Sequence, residues 1–114
     1  MALAIVSREV DGVTVLELSG RITLGEGSVQ LRDAIRDLMA KGQRRILLDL
    51  GEVNYIDSSG LGELVSAYTS VKNQSAALKL LKLTKKVHDL LQLTKLYTVF
   101  DIYDDEASAI ASFK

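Results

Sequence analysis

The chain has 114 residues, with 14 basic and 15 acidic side chains, a net charge of −1 and an apolar fraction of 47%. These are globular values that exclude wholesale disorder, and the balanced charge removes any long-range pull towards nucleic acid or anionic lipid. The chain contains no cysteine and one histidine, which excludes disulfides, thiol redox chemistry, thiolate metal sites and a His-rich metal centre.

The length predicts one domain, residues 1–114, able to bury a core without a disulfide or metal staple. The N-terminal apolar run Met1-Ala2-Leu3-Ala4-Ile5-Val6 is too short for a signal sequence and no basic residue precedes it. No stretch approaches the ~20 apolar residues of a membrane span. The expectation is a soluble cytoplasmic protein with no membrane or nucleic-acid partner.

Two β-branched runs, Leu3 to Val10 and Val13 to Leu18, flank Asp11-Gly12. Asp-Gly between apolar runs predicts an antiparallel hairpin, because both turn residues must take positive φ. Gly20 is expected to break the second strand. Thr23-Leu24-Gly25-Glu26 fits the S/T-x-x-E capping box. Leu31, Ala34, Ile35, Leu38 and Met39 then recur at helical spacing, with Arg32, Asp33, Arg36 and Asp37 on the opposite face. The spacing predicts a helix over about 25–41, ended by Gly42.

Ile46-Leu47-Leu48-Asp49-Leu50 suits a strand covered on both faces. A loop is expected over 51–56, followed by Asp57-Ser58-Ser59-Gly60-Leu61-Gly62. Leu61, Leu64, Val65 and Tyr68 form one helical stripe that should end near Asn73. Ala77 to Leu83 reads as a buried strand. Thr84 caps a short helix carrying Val87, Leu90 and Leu91, and Thr98 to Tyr103 reads as the last strand. Asp104 is placed to cap a terminal helix with Ala107, Ile110, Ala111 and Phe113 inside. The order β-β-α-β-α-β-α-β-α implies an α/β fold with a mixed, largely parallel sheet flanked by about four helices. Functional groups in such folds gather where strands end and helices begin.

The Asp57–Gly62 turn lies at such a junction. The first turn of a helix has unpaired N–H groups, and Ser58, Ser59 or Asp57 can cap it. Two serines, an acid and two glycines exceed what one cap requires. Gly62 falls inside the expected helix, where glycine costs ~1 kcal/mol relative to alanine. Gly60 and Gly62 are therefore read as letting another backbone approach closely.

Ile56-Asp57-Ser58-Ser59-Gly60-Leu61-Gly62, after a buried apolar strand, resembles the signature of STAS domains, and more narrowly that of the bacterial anti-sigma factor antagonists. The resemblance takes in the hairpin, Gly20, the Ile46–Leu50 strand, the turn and the Leu80 to Leu93 segment. It implies a STAS fold and a phosphorylation-gated binding module rather than an enzyme, without a cofactor. It implies Ser58 as phosphoacceptor, with Asp57, Ser59, Gly60, Leu61 and Gly62 forming the turn that meets the partner. It also implies a supporting loop containing Arg21 and Thr23; many family members carry an acidic residue where Thr23 stands. The implied partners are an anti-sigma factor that is also a serine kinase and a PP2C-type phosphatase. The unphosphorylated form would bind the anti-sigma factor and free the sigma factor. The same fold could instead serve another partner-switching system or bind a small ligand.

Other constellations fit less well. A serine hydrolase needs G-x-S-x-G, but Ile56 and Asp57 stand two before Ser58 and Ser59, and His88 is the only base. Gly60-Leu61-Gly62 lacks Gly or Ala at 65, which is valine. A calcium loop starting at Asp101 would need Gly at 106 and Glu at 112, where Glu106 and Ser112 stand. Lys79, Lys82, Lys85, Lys86 and Lys95 are explained by strand alternation and a helix exterior. A phospho-aspartate receiver needs paired acids after its first strand, where this chain has the hairpin.

Overall fold

The computed structural model describes residues 3–114; Met1 and Ala2 of the N-terminal apolar run lie outside the described residues. Strands β1 (Leu3–Val10) and β2 (Val13–Ile22) form the antiparallel hairpin, with Asp11 and Gly12 at φ 51° and 80°, as an Asp-Gly turn demands. Helix α1 (Glu26–Ala40), strand β3 (Arg45–Ile56), helix α2 (Ser58–Asn73), strand β4 (Ala77–Leu81), helix α3 (Lys85–Leu93), strand β5 (Ile102–Tyr103) and helix α4 (Glu106–Ala111) follow. The sheet order is β1-β2-β3-β4-β5, with every pair after the hairpin parallel. The mixed α/β architecture with four helices is the one expected from the sequence.

The continuous apolar run of β3 is explained by its position at the centre of the sheet. Ile46, Leu48 and Leu50 point to one face and Leu47 to the other. On the first face they meet Leu31 and Ile35 of α1, Leu61, Leu64 and Val71 of α2, and Val87 and Leu91 of α3. On the second face Leu47 joins Val13, Val15 and Leu81 beneath Ala109 and Ile110 of α4. Burying each such side chain contributes roughly 1.5–3 kcal/mol.

The short α4 is also held by charge. Arg8 donates to both carboxylate oxygens of Glu106 and to Glu17, and Lys79 Nζ reaches the Ser112 carbonyl at 2.9 Å. The Arg8 guanidinium holds the Glu106 carboxyl below its ordinary range. A cation at the carbonyl end of a helix is favoured by the helix dipole.

Several local expectations are corrected. Gly20 does not end β2: the strand continues to Ile22 through register shifts at Glu17/Ser19 and Gly20/Arg21. The segment 51–56 is not a loop, because it continues β3 alongside this extended end of β2. The last strand is only Ile102–Tyr103, and β4 stops at Leu81. Asp105, not Asp104, caps α4 by accepting from Ser108 N at 2.9 Å, and this turns Ala107 and Ala111 outward while Ala109 and Ile110 go in. Among the described residues no helix is long and apolar enough to cross a membrane.

Candidate functional site

The extension of β2 and β3 carries both strands to one end of the molecule, where β3 turns into α2 at Asp57. Asp57 is the N-cap of α2, with extended backbone, and its Oδ1 accepts from Gly60 N at 2.8 Å. Its Oδ2 accepts from Leu24 N at 3.1 Å, in the loop between β2 and α1. One carboxylate therefore caps a helix and ties down a neighbouring loop. The Gly60 N–H, then the Leu24 N–H, hold the Asp57 carboxyl below its ordinary value.

Of the three capping candidates Asp57 takes the role, and both Ser58 and Ser59 are left without a side-chain hydrogen bond among the described residues. Ser58 is exposed and Ser59 half-buried. No acidic residue occupies the first turn of α2.

The two glycines separate sharply. A Cβ on Gly60 would stand 2.0 Å from the Ile22 carbonyl oxygen and 2.8 Å from its carbon. The backbone that approaches Gly60 is therefore this chain's own β2. The same contact lets Asp57 N donate to Ile22 O at 3.3 Å. A Cβ on Gly62 meets nothing within 4 Å. Leu61 is 5% exposed and belongs to the core, so its side chain is not free to meet a partner.

The capping box at Thr23 does not form. Gly25 is the N-cap of α1, without a side-chain hydrogen bond. Thr23 contributes its carbonyl, which accepts from Ser28 N at 3.1 Å and Ser28 Oγ at 2.8 Å. The tether from Leu24 to Asp57 sets the path of this loop, and that tertiary contact overrides the local capping signal. Arg21 is exposed at the end of β2, its guanidinium carbon 5.2 Å from the centroid of the Tyr55 ring. Behind the turn, Glu63 is buried between α1 and α2 and accepts from Arg32 at 2.8 Å. The helical pattern places Arg32 on the solvent face and gives no hint that it reaches this buried acid. His88 packs edge-on against Tyr97 at 5.0 Å, and no hydrogen bond joins it to Ser58 among the described residues. No cluster of His, Cys, Asp or Glu able to hold a metal occurs among them.

Residues 4–109 match the STAS domain model. The chain belongs to the STAS domain family. It is similar to the anti-sigma-B factor antagonist of Bacillus subtilis, with 32% identity over 76% of this chain and 78% of that protein. It is also similar to the anti-sigma F factor antagonist of Paenibacillus polymyxa, with 27% identity over 90% of this chain and 88% of that one. The crystal structure of TM1081 from Thermotoga maritima superposes with a TM-score of 0.86 and 26% identity, covering 95% of this chain and 92% of that chain. The sequence resemblance to STAS domains is thereby established at the level of the family, and the two relatives named here are anti-sigma factor antagonists.

Proposed function

We propose that this protein is an anti-sigma factor antagonist that acts as a binding switch, with Ser58 as its phosphoacceptor. The observation that carries the reading is the division of labour in the turn. Asp57 takes the cap, and Ser58 is left exposed and unbonded at the first position of α2. A hydroxyl with no structural duty can be modified without unfolding the protein.

The reaction is phosphoryl transfer catalysed by the partner, a serine-kinase anti-sigma factor. Ser58 Oγ attacks the γ-phosphorus of ATP, the bond to the β-phosphate oxygen breaks, ADP leaves, and the serine proton passes to a base of the kinase. A PP2C-type phosphatase hydrolyses the ester and restores the hydroxyl. The phosphate adds about −1.5 to −2 charges. The α2 N-terminus tolerates an anion through its dipole and free N–H groups, whereas Asp57 alongside and a docked partner oppose it. The fold survives and the complex is lost. In this reading the chain is a cytoplasmic substrate and switch, not an enzyme.

Intact-mass measurement after incubation with the kinase and ATP tests it. One phosphate is expected on the wild type and none on Ser58→Ala. Ser58→Asp is expected to fold normally and to bind the anti-sigma factor poorly. Phosphate that persists in Ser58→Ala and disappears in Ser59→Ala overturns the assignment.

A further inference from the structure

Beside the turn, the ends of β2 and β3 carry an exposed group that neither the capping of α2 nor the core requires. Tyr55 is 40% exposed and pairs in register with Arg21. The Arg21 guanidinium lies 5.2 Å and Lys86 Nζ of α3 lies 5.9 Å from the centroid of its ring. Both distances are within the range of a cation–π interaction. Leu24, tethered to Asp57 through its backbone, is 78% exposed.

Apart from the Tyr55 ring, the charges of this group meet no partner among the described residues. Arg8, Arg32, Lys41 and Lys85 each pair with a carboxylate. Arg21 and Lys86 make no ion pair among the described residues. They are two cations around one ring with no carboxylate partner, on a chain whose net charge is −1. Arginine and tyrosine are the side chains most enriched in interface hot spots, and the exposed Leu24 adds apolar surface beside them. Two of its members stand on paired strands, so little backbone freedom is lost when they are covered.

We propose that Arg21, Tyr55, Lys86 and Leu24 form the docking patch beside Ser58, and that the partner covers it with an acidic protein surface. The proposal rests on the reading of Ser58 as the switch and deepens it. Two positive charges beside the turn draw in the partner's carboxylates. Phosphate on Ser58 introduces about the same amount of negative charge and cancels that attraction. The switch then works through loss of charge complementarity as well as through bulk.

The test uses the purified serine-kinase anti-sigma factor from the same genome and measures association rate and affinity at increasing NaCl. Wild-type association is expected to slow with salt. The double variant Arg21→Glu, Lys86→Glu is expected to associate about tenfold or more slowly at low salt and to lose its salt dependence. Arg44→Glu, just before β3 at the opposite end of the strands, is expected to behave as wild type. Tyr55→Ala is expected to raise the dissociation rate. Urea midpoints matched to wild type for all variants exclude unfolding as the cause; a variant whose midpoint falls is replaced by Arg21→Gln, Lys86→Gln, for which a smaller slowing is expected. Wild-type binding that is independent of salt, or unchanged or tightened by the charge reversal, overturns the patch and leaves the Ser58 reading standing. If the wild type neither binds the kinase nor accepts phosphate, both fall.

Discussion

The six residues from Asp57 to Gly62 fall into two sets that differ in what surrounds them. Asp57, Gly60 and Leu61 are held by the rest of the protein: the carboxylate bridges two backbone N–H groups, Gly60 lies against the Ile22 carbonyl and Leu61 sits in the core. Ser58 is exposed, Ser59 is half-buried and Gly62 has open space where a side chain would be. A rigid inner half presents an unencumbered outer half. A binding switch needs both, since the modified group must be reachable and its position must not drift.

The two halves should separate in experiment, the inner half in stability and the outer half in binding. Leu61→Ala is expected to cost roughly 2–5 kcal/mol, as for a buried leucine truncated to a cavity, and urea denaturation reads it directly. Gly60→Ala forces a methyl into the Ile22 backbone and is expected to cost roughly 1–3 kcal/mol or more. A wild-type urea midpoint for Gly60→Ala breaks the comparison, because the strand would then have room to yield.

Acid sharpens the same division. The Asp57 carboxyl is depressed in the folded state, chiefly by the Gly60 N–H and then by the Leu24 N–H. A depressed carboxyl contributes stability above its ordinary value of 3.8 and loses it as pH falls through the lower folded value. Thermal melts in this acid range should show Asp57→Asn with a shallower decline than wild type, and equal slopes would detach the carboxylate from the inner half.

The outer half is expected to respond oppositely. Gly62→Ala gains up to ~1 kcal/mol of helix propensity, since the residue is helical and its surroundings are open. The same methyl should weaken docking of the anti-sigma factor, so stability and affinity move apart. Unchanged affinity assigns Gly62 to no interface. Ser58→Ala and Ser59→Ala are expected to lie within about 0.5 kcal/mol of wild type, and only Ser58→Ala should lose phosphorylation.

Much of this arrangement was legible from local chemistry. Asp11-Gly12 specifies its hairpin because few residue pairs accept two positive φ angles in succession, and Thr84 caps α3 as its position suggests, accepting from Val87 N. The apolar periodicities located α1, α2 and α3 because a buried stripe must follow the helical repeat. What local signals misplaced was decided by partners distant in sequence. Thr23-Leu24-Gly25-Glu26 has the pattern of a capping box, but Asp57, 33 residues beyond Leu24, holds the loop elsewhere. The segment 51–56 lacks a clean strand pattern and is a strand because β2 runs beside it.

The order of elements, the mixed sheet and the turn at Asp57 were determined by the sequence alone, since they depend on periodicity, turn chemistry and capping, which act within a few residues. Only the tertiary structure decided which of the six turn residues are free. Gly60 and Gly62 are chemically identical, two positions apart on one helix, yet one faces the Ile22 carbonyl and the other open space. Likewise, nothing in the sequence joins Arg21, Tyr55 and Lys86, residues brought around one ring by strand register and by the packing of α3. The physical reason is the range of the forces: propensity is set by neighbours along the chain, whereas exposure and charge complementarity are set by neighbours in space.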